Sequence, residues 1–175
     1  FPGHGHVRAD SHLEVPVDGR SYAEIESADL APFRRAIEAG LGAVMPAHVI
    51  YTQVDERPAG YSTHWLKQVL RGKLGFGGVV FSDDLAMEGA SVAGGVAARA
   101  EAALSAGCDM ALLCNQPDKA DELLDDLDYA MPAVSLARLA RMQGRQGAPA
   151  MPELREDAHY CRCLQGVAAI GQRDG

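Results

Sequence analysis

Cysteine is scarce in this chain, and no leader or membrane segment is evident. The 175 residues include only four cysteines, and no basic stretch followed by an apolar core opens the sequence. Disulfide-stapled secreted domains are short and rich in cysteine, so we expect reduced thiols and a cytoplasmic location. Cys161 and Cys163 supply at most two of the about four ligands of a structural zinc site, so they do not predict one.

Long apolar runs and an excess of basic residues are also lacking. No segment approaches the roughly 20 apolar residues that a membrane span requires, so we expect no membrane partner. Acidic residues outnumber basic residues by 24 to 16, and the formal net charge is −8. Because such a surface repels phosphate backbones, we expect no nucleic-acid partner. The hydrophobic content of 47% is enough for the core of one domain.

What the chain does contain is an alternation of short apolar segments and helical patterns. Buried strands are predicted at residues 43–49, 78–83 and 109–114. Helices are predicted from Ser21, which forms a capping box with Glu24, to about Gly40, and then at 63–72, 91–107 and 117–127. This rhythm predicts an α/β fold with a parallel sheet, either a closed (β/α)₈ barrel or an open doubly wound sheet.

The strand count suggests that the chain is part of a barrel. A complete barrel takes about 250 residues, whereas only three strands and the loop of a fourth are predicted here. We therefore expect residues 1–130 to be the second half of a TIM-barrel catalytic domain. Beyond Ala130 we predict a short helix at 135–142, a linker at 144–152 and helix at 153–170, so that 131–175 forms the C-terminal helices of the same domain.

Polar residues follow the predicted strands, at the end where ligands bind in both architectures. They are His48, the Ser82-Asp83-Asp84 run and Asn115. Of the two aspartates, one is expected to face the site and the other to cap a helix or bind turn amides. Near the start of the chain, Asp10 lies two residues before His12. In extended backbone these side chains point the same way, which predicts an Asp-His hydrogen bond and a proton shuttle.

These residues allow three functions. A carboxylate facing a His-Asp pair supplies the nucleophile and the acid/base of double-displacement glycoside hydrolysis. Alternatively, His4, His6, His48 and Asp83 could form the metal site of a metal-dependent barrel hydrolase, although His6 is more simply a loop-stabilising residue. The chain could also be a non-catalytic half of a barrel that acts as an assembly module.

Four motifs carry a specific resemblance. They are Phe-Pro-Gly-His-Gly at residues 1–5, Asp-Ser-His at 10–12, Met-Pro-Ala-His at 45–48 and Phe-Ser-Asp-Asp-Leu-Ala-Met-Glu-Gly-Ala at 81–90. In this order and spacing the chain resembles the β-N-acetylglucosaminidases of glycoside hydrolase family 3, in particular the bacterial enzymes of peptidoglycan recycling. The similarity covers about residues 1–127.

The resemblance implies a TIM-barrel enzyme that needs no cofactor and acts on a small glycan. It implies removal of terminal N-acetylglucosamine from 1,6-anhydro-muropeptides with retention of configuration. By position, Asp83 matches the nucleophile, His12 the acid/base and Asp10 the residue that orients His12. Phosphorolysis is an alternative to hydrolysis in the second step, because a neutral imidazole does not repel an incoming phosphate ion as a carboxylate does.

One departure from the family concerns the start of the motif. The family has Lys-His directly before Phe-Pro-Gly-His-Gly, and the printed sequence begins after that pair. The resemblance implies that those residues, with an Asp and an Arg from earlier strands, hold the sugar. We therefore expect the upstream half-barrel to be needed for a complete site, and the 175-residue chain alone to be marginally folded and inactive.

Overall fold

The computed structural model describes residues 1–144 and 149–170. The chain divides into two compact units, Phe1–Met142 and Gln143–Gly175. Part of the predicted linker at 144–152 lies outside the described residues. Among the described residues, no helix has the length and apolar character needed to cross a lipid bilayer.

The first unit is an α/β fold, as predicted, and all its strand pairs are parallel. The strands are β1 (Val17–Asp18), β2 (Ala43–Val44), β3 (Ile50–Tyr51), β4 (Val79–Asp84) and β5 (Met110–Leu112). A three-stranded sheet has the order β2-β4-β5, and β1 pairs with β3 in a second sheet. The carboxyl ends of β2, β4 and β5 therefore open on the same side, which is where the predicted site residues follow their strands.

The helices follow the predicted pattern with several changes of boundary. In the first unit they are α1 (Tyr22–Ala28), α2 (Leu30–Glu38), a π-helix (His64–Lys73), α3 (Val96–Ala106), α4 (Pro117–Asp126) and α5 (Ala133–Arg141), together with 3₁₀ turns at Ala59–Tyr61 and Glu88–Ala93. The second unit contains α6 (Met151–Glu156) and α7 (Ala158–Ala169). The predicted capping box is present, since the Ser21 N–H donates to Glu24 Oε2 at 2.8 Å.

Several predicted elements are wrong in their bounds, and the helical segment predicted at 153–170 is divided at Asp157 into α6 and α7. The single helix predicted from Ser21 to Gly40 is interrupted at Asp29, three residues before Pro32, whose ring nitrogen cannot donate a helical hydrogen bond. The strand predicted at 43–49 keeps regular pairing only as β2, because Pro46 again lacks an N–H. The helix predicted from residue 91 begins at Val96, since Gly94 has a φ of 94°, which ends the preceding turn.

The core of the first unit forms around the π-helix and anchors the start of the chain. Trp65 is fully buried, and its ring centroid lies 6.0 Å from that of Phe1 and 5.1 Å from that of Tyr51. The Tyr51 hydroxyl donates to the Gly3 carbonyl, and the Phe1 carbonyl accepts from the Ala47 N–H at 2.9 Å. The aromatic core and these bonds therefore fix the start of the first loop beside the end of β2.

A buried ion-pair network closes the opposite end of the sheet. Asp109 precedes β5 and is 1% exposed. Its carboxylate accepts from Arg71 at 2.8 Å, from Arg138 at 2.9 Å and from the Ser135 hydroxyl at 2.6 Å. Because Ser135 and Arg138 belong to α5, this network attaches α5 to the amino end of the sheet, away from the polar strand ends.

Candidate active site

The predicted Asp-His pair is present at the surface of the first loop. His12 Nδ1 lies 2.7 Å from Asp10 Oδ1, and the same oxygen accepts the His12 backbone N–H at 2.9 Å. The backbone that forms the pair is a turn and not the extended segment that was predicted, since the Leu13 N–H donates to the Asp10 carbonyl at 2.9 Å. Both side chains are exposed, so the ring's other nitrogen is open to a ligand.

Electrostatics favour the protonated form of His12. The hydrogen bond and charge of Asp10 raise the pKa of His12, and the carboxylates of Asp83 and Asp84 raise it further. In turn, the backbone N–H and ring of His12 lower the pKa of Asp10 and keep it ionised. Asp10 and His12 can therefore present an imidazolium at the surface of the first loop.

Asp83 lies in an irregular part of β4. Phe81 pairs with Met110 and Asp84 with Leu112, so three steps along β4 match two along β5. This β-bulge interrupts the regular alternation of side chains just before the strand ends. The buried Ser82 hydroxyl accepts the Leu112 N–H at 2.8 Å, which keeps that amide paired within the bulge. Asp83 Oδ1 accepts the N–H of Asp84 at 2.9 Å.

Asp84 binds backbone amides, which is the structural role that we expected of one of the two aspartates. Its Oδ1 accepts from the Ala86 N–H at 2.9 Å and from the Cys114 N–H at 3.0 Å. The first bond forms a turn after β4, and the second joins the ends of β4 and β5. That Asp83 is the reactive aspartate stays a prediction. The link to Cys114 depends on a distant residue, and no local sequence signal could have shown it.

A contact that the sequence did not indicate joins the two halves of the site. The Gly89 N–H donates at 2.9 Å to the carbonyl of Ser11, which lies between Asp10 and His12. A Cβ at Gly89 would lie 2.8 Å from His48 Cβ and 3.1 Å from the Ser11 carbonyl oxygen. Only glycine fits this close approach, so Gly89 places the loop of Asp10 and His12 against the segment that follows β4.

The histidines proposed as metal ligands do not form a site. His4 and His6 are exposed in the loop, whereas His48 is fully buried and its Nε2 lies 3.1 Å from the Asp84 carbonyl. Within residues 1–144 and 149–170, no three His, Cys, Asp or Glu side chains are close enough to hold a metal ion. The donor set that the metal-dependent hydrolase hypothesis requires is therefore not assembled in this part of the chain.

The remaining candidates show no arrangement that indicates chemistry. Cys163 Sγ lies 3.8 Å from His159 Nε2 on α7, with no third ligand beside them among the described residues. Asn115 follows β5 with a φ of 58° and is exposed, so it serves the turn there.

Comparison with known proteins identifies the family. Residues 1–143 match the N-terminal domain of glycosyl hydrolase family 3. The chain belongs to glycoside hydrolase family 3. This agrees with the resemblance of the four motifs and places both the first loop and β4 inside the family domain.

Proteins named β-hexosaminidase are similar over the whole chain. The one from Methylobacillus flagellatus is 57% identical over 175 residues, which is 100% of this chain and 50% of that protein. The one from Thiobacillus denitrificans is 58% identical over 173 residues, or 98% of this chain and 48% of that protein. This family 3 chain thus spans about half the length of the curated relatives that it matches.

Solved structures of the family have the same fold. NagZ from Neisseria gonorrhoeae in complex with N-trifluoroacetyl-D-glucosamine superposes with a TM-score of 0.87 and 48% identity, over 99% of this chain and 50% of that one. A family 3 β-N-acetylglucosaminidase from a Paenibacillus species gives a TM-score of 0.76 and 32% identity, over 86% of this chain and 32% of that one.

Proposed function

We propose that this chain is the second half of a (β/α)₈ barrel in a retaining exo-β-N-acetylglucosaminidase. The proposal rests on the His12–Asp10 pair, whose bonded atoms lie 2.7 Å apart, and on Asp83 at the end of β4, because the Gly89–Ser11 hydrogen bond joins the loop of the pair to the segment after β4. A nucleophilic carboxylate and a separate acid/base are the two groups that double displacement needs. The parallel β2-β4-β5 sheet supports the barrel, since it corresponds to part of a closed ring of parallel strands.

In the first step Asp83 attacks the anomeric carbon and forms a glycosyl ester. The bond to the leaving oxygen breaks, and that oxygen takes a proton from His12. Asp10 accepts the Nδ1–H of the ring, so the transferred proton is the one on Nε2. A raised pKa favours the imidazolium that this step needs.

In the second step the neutral ring of His12 removes a proton from water. The resulting hydroxide-like oxygen attacks the anomeric carbon on the face that the leaving group vacated, and Asp83 departs as a carboxylate. The two displacements restore the original configuration. If phosphate replaces water here, the product is a sugar phosphate instead of a free sugar, and product analysis distinguishes the two reactions.

The substrate we propose is a terminal N-acetylglucosamine on a 1,6-anhydro-muropeptide in cell-wall recycling in the cytoplasm. The names of the relatives, β-hexosaminidase and NagZ, support this substrate class, as does the N-acylglucosamine bound by the gonococcal protein. We also propose that the complete sugar site needs the upstream half of the barrel. That half corresponds to the part of the relatives that this chain does not cover.

The test uses the full-length protein that contains this sequence, assayed on N-acetylglucosaminides with good and poor leaving groups. We expect Asp83→Asn to lower kcat/KM by about 10⁴-fold or more on both kinds of substrate. His12→Ala should cost about 10²–10⁴-fold on poor leaving groups and far less on activated ones, because only the former need a proton.

The matched control is His6→Ala, which changes an exposed histidine of the same loop. It should leave both substrates close to wild type. An equal loss across leaving groups for His12→Ala would mean that this histidine has only a structural role. Full activity of Asp83→Asn would remove the nucleophile from the proposal.

A further inference from the structure

His48 is a fully buried histidine that bonds the end of β4 and packs against the turn that follows it. We propose that His48 is a positioning residue, which holds Asp83 in place through the main chain of Asp84. This inference rests on the proposed function, because it gives Asp83 a reaction to perform. It differs from the metal-ligand role that the sequence suggested for the same histidine.

The first observation is the bond to β4. His48 Nε2 lies 3.1 Å from the Asp84 carbonyl oxygen. A carbonyl oxygen only accepts, so Nε2 carries the hydrogen and Nδ1 is the unprotonated nitrogen. Burial lowers the pKa of His48, against the opposing effect of the Asp83 and Asp84 carboxylates. The ring is therefore a neutral donor with a fixed tautomer.

The bond is not needed to satisfy the carbonyl of Asp84. That oxygen also accepts the Met87 N–H at 3.2 Å. Meanwhile Nδ1 of His48 is buried, and no partner for it is present among the described residues. An apolar side chain of similar size would avoid this unpaired nitrogen. Stability alone therefore does not explain a histidine at this position, whereas fixing the direction of the Asp84 backbone does.

Fixing Asp84 also fixes Asp83. The Asp84 N–H donates to Asp83 Oδ1 at 2.9 Å, so the same residue carries the His48 contact at its carbonyl and the Asp83 contact at its amide. Without the His48 N–H, the Asp84 carbonyl would lose one of its hydrogen bonds and the Asp84 backbone would be held less firmly. A small displacement of a reacting group is enough to cost about 10²-fold in rate.

The second observation is that the His48 ring is closely packed by neighbouring residues. Its Cβ lies 2.8 Å from the position a Gly89 Cβ would occupy, and its ring centroid lies 5.6 Å from that of Tyr61. The Tyr61 hydroxyl donates to the Ala90 carbonyl at 3.2 Å. Because Gly89 and Ala90 belong to the turn after β4, His48 is packed between that turn and the end of β2, and its donor has little freedom to move.

The experiment compares three substitutions at His48 in the full-length protein. Gln keeps an N–H donor with the reach of Nε2, Leu has similar bulk without a donor, and Asn has a donor that is too short. We expect His48→Leu and His48→Asn to lower kcat by about 10- to 100-fold with little change in KM. The loss should be equal for good and poor leaving groups, because Asp83 acts with both. His48→Gln should recover most of the rate.

Val49→Ala is the matched control, since Val49 is equally buried in the adjacent position. It should lower the Tm while kcat stays near wild type, which separates lost packing from lost positioning. If His48→Leu does not fold, the contrast between Gln and Asn carries the test. Equal kcat for these two variants, or a loss confined to poor leaving groups, would overturn the positioning role.

Asp83→Asn, assayed in parallel, separates this inference from the proposed function. If Asp83→Asn is inactive and the His48 variants retain wild-type kcat, only the positioning role is wrong. If Asp83→Asn keeps its activity, Asp83 is not the nucleophile and both proposals are wrong.

Discussion

Asp10 connects the structure of the first loop to its proposed chemistry. One carboxylate oxygen holds both the backbone N–H and the ring Nδ1 of His12. Because both side chains are exposed, the pair adds little to the free energy of unfolding. Its main consequence is chemical, since Asp10 sets the tautomer of the ring and raises the pKa of His12.

The first prediction concerns the pH profile of Asp10→Asn. Because Asp10 raises the pKa of His12, the imidazolium persists to higher pH in the wild type and is lost as pH rises through that pKa. Removing the carboxylate should move the alkaline limb of kcat/KM to lower pH. At neutral pH we expect a loss of up to about 10²-fold on poor leaving groups.

Glu14→Gln is the control for this prediction. Glu14 is an exposed carboxylate of the same turn, and its contact with Asp10 is only through the backbone. Its profile should match that of the wild type. An alkaline limb that does not move in Asp10→Asn would show that another group limits the reaction at high pH.

At the residue scale, the sequence predicted which side chains bond to each other better than it predicted the backbone around them. The two-residue spacing of Asp10 and His12 predicted their bond, but not the turn, which arises from local side-chain to backbone bonding by Asp10. Asp83 and Asp84 are chemically identical neighbours, so the resemblance alone indicated which one matches the family's nucleophile. The structure separates them through a bond from the Cys114 amide, and that contact depends on the fold.

At the element scale, the bulge in β4 is the feature that shapes the site. It lies where Phe81 and Asp84 pair with Met110 and Leu112. The Ser82 hydroxyl replaces a backbone acceptor there, which explains the buried serine in this strand. The short apolar segment at 78–83 predicted the strand but not its bulge, because pairing register depends on the neighbouring strand.

The second prediction tests this role of Ser82. Ser82→Ala should leave the Leu112 amide without its acceptor and destabilise the protein by about 1–3 kcal/mol, measured by urea unfolding. It should also lower kcat, because the bulge that precedes Asp83 loses its support.

Ser135→Ala is the matched control, since it removes another buried hydroxyl, which bonds Asp109 at the other end of the sheet. It should lose stability with kcat unchanged. A kcat for Ser82→Ala equal to that of Ser135→Ala would show that the bulge does not position Asp83.

Other elements mark where sequence patterns are weakest. Strands β1 and β3 have two residues each, which is too short for an alternation to be seen, and neither was predicted. The helix boundaries at Pro32 and Gly94 follow from general rules for these residues. By contrast, the repeated spacing of strands and helices correctly predicted that β2, β4 and β5 are parallel.

At the scale of the whole molecule, the first unit closes one end of its sheet and leaves the other for chemistry. The Asp109 network lies before β5, and the aspartates follow β4. Stabilising groups at the amino ends of strands and reactive groups at the carboxyl ends are the arrangement typical of α/β barrels. The chain covers about half the length of its relatives, so we expect its proposed activity to need the rest of such a barrel.

The third prediction concerns the 175-residue chain alone. We expect no measurable hydrolysis of a chromogenic N-acetylglucosaminide, because strand edges that pair in a complete barrel are open and the proposed sugar-binding residues are upstream. The full-length protein serves as the positive control under the same conditions. Turnover by the isolated chain that disappears in its own Asp83→Asn variant would show that the upstream half is dispensable.

The most direct test of the account is to identify the residue that bonds to the sugar. In full-length His12→Ala, a substrate with a strongly activated leaving group still forms the glycosyl ester, whereas its hydrolysis is slow because the general base is gone. The intermediate should accumulate and be detectable by mass spectrometry after rapid acid quench and proteolysis. We predict that the peptide containing Asp83 carries one N-acetylglucosaminyl group. A sugar on any other residue, or its absence while the leaving group is released in a burst, would contradict the account.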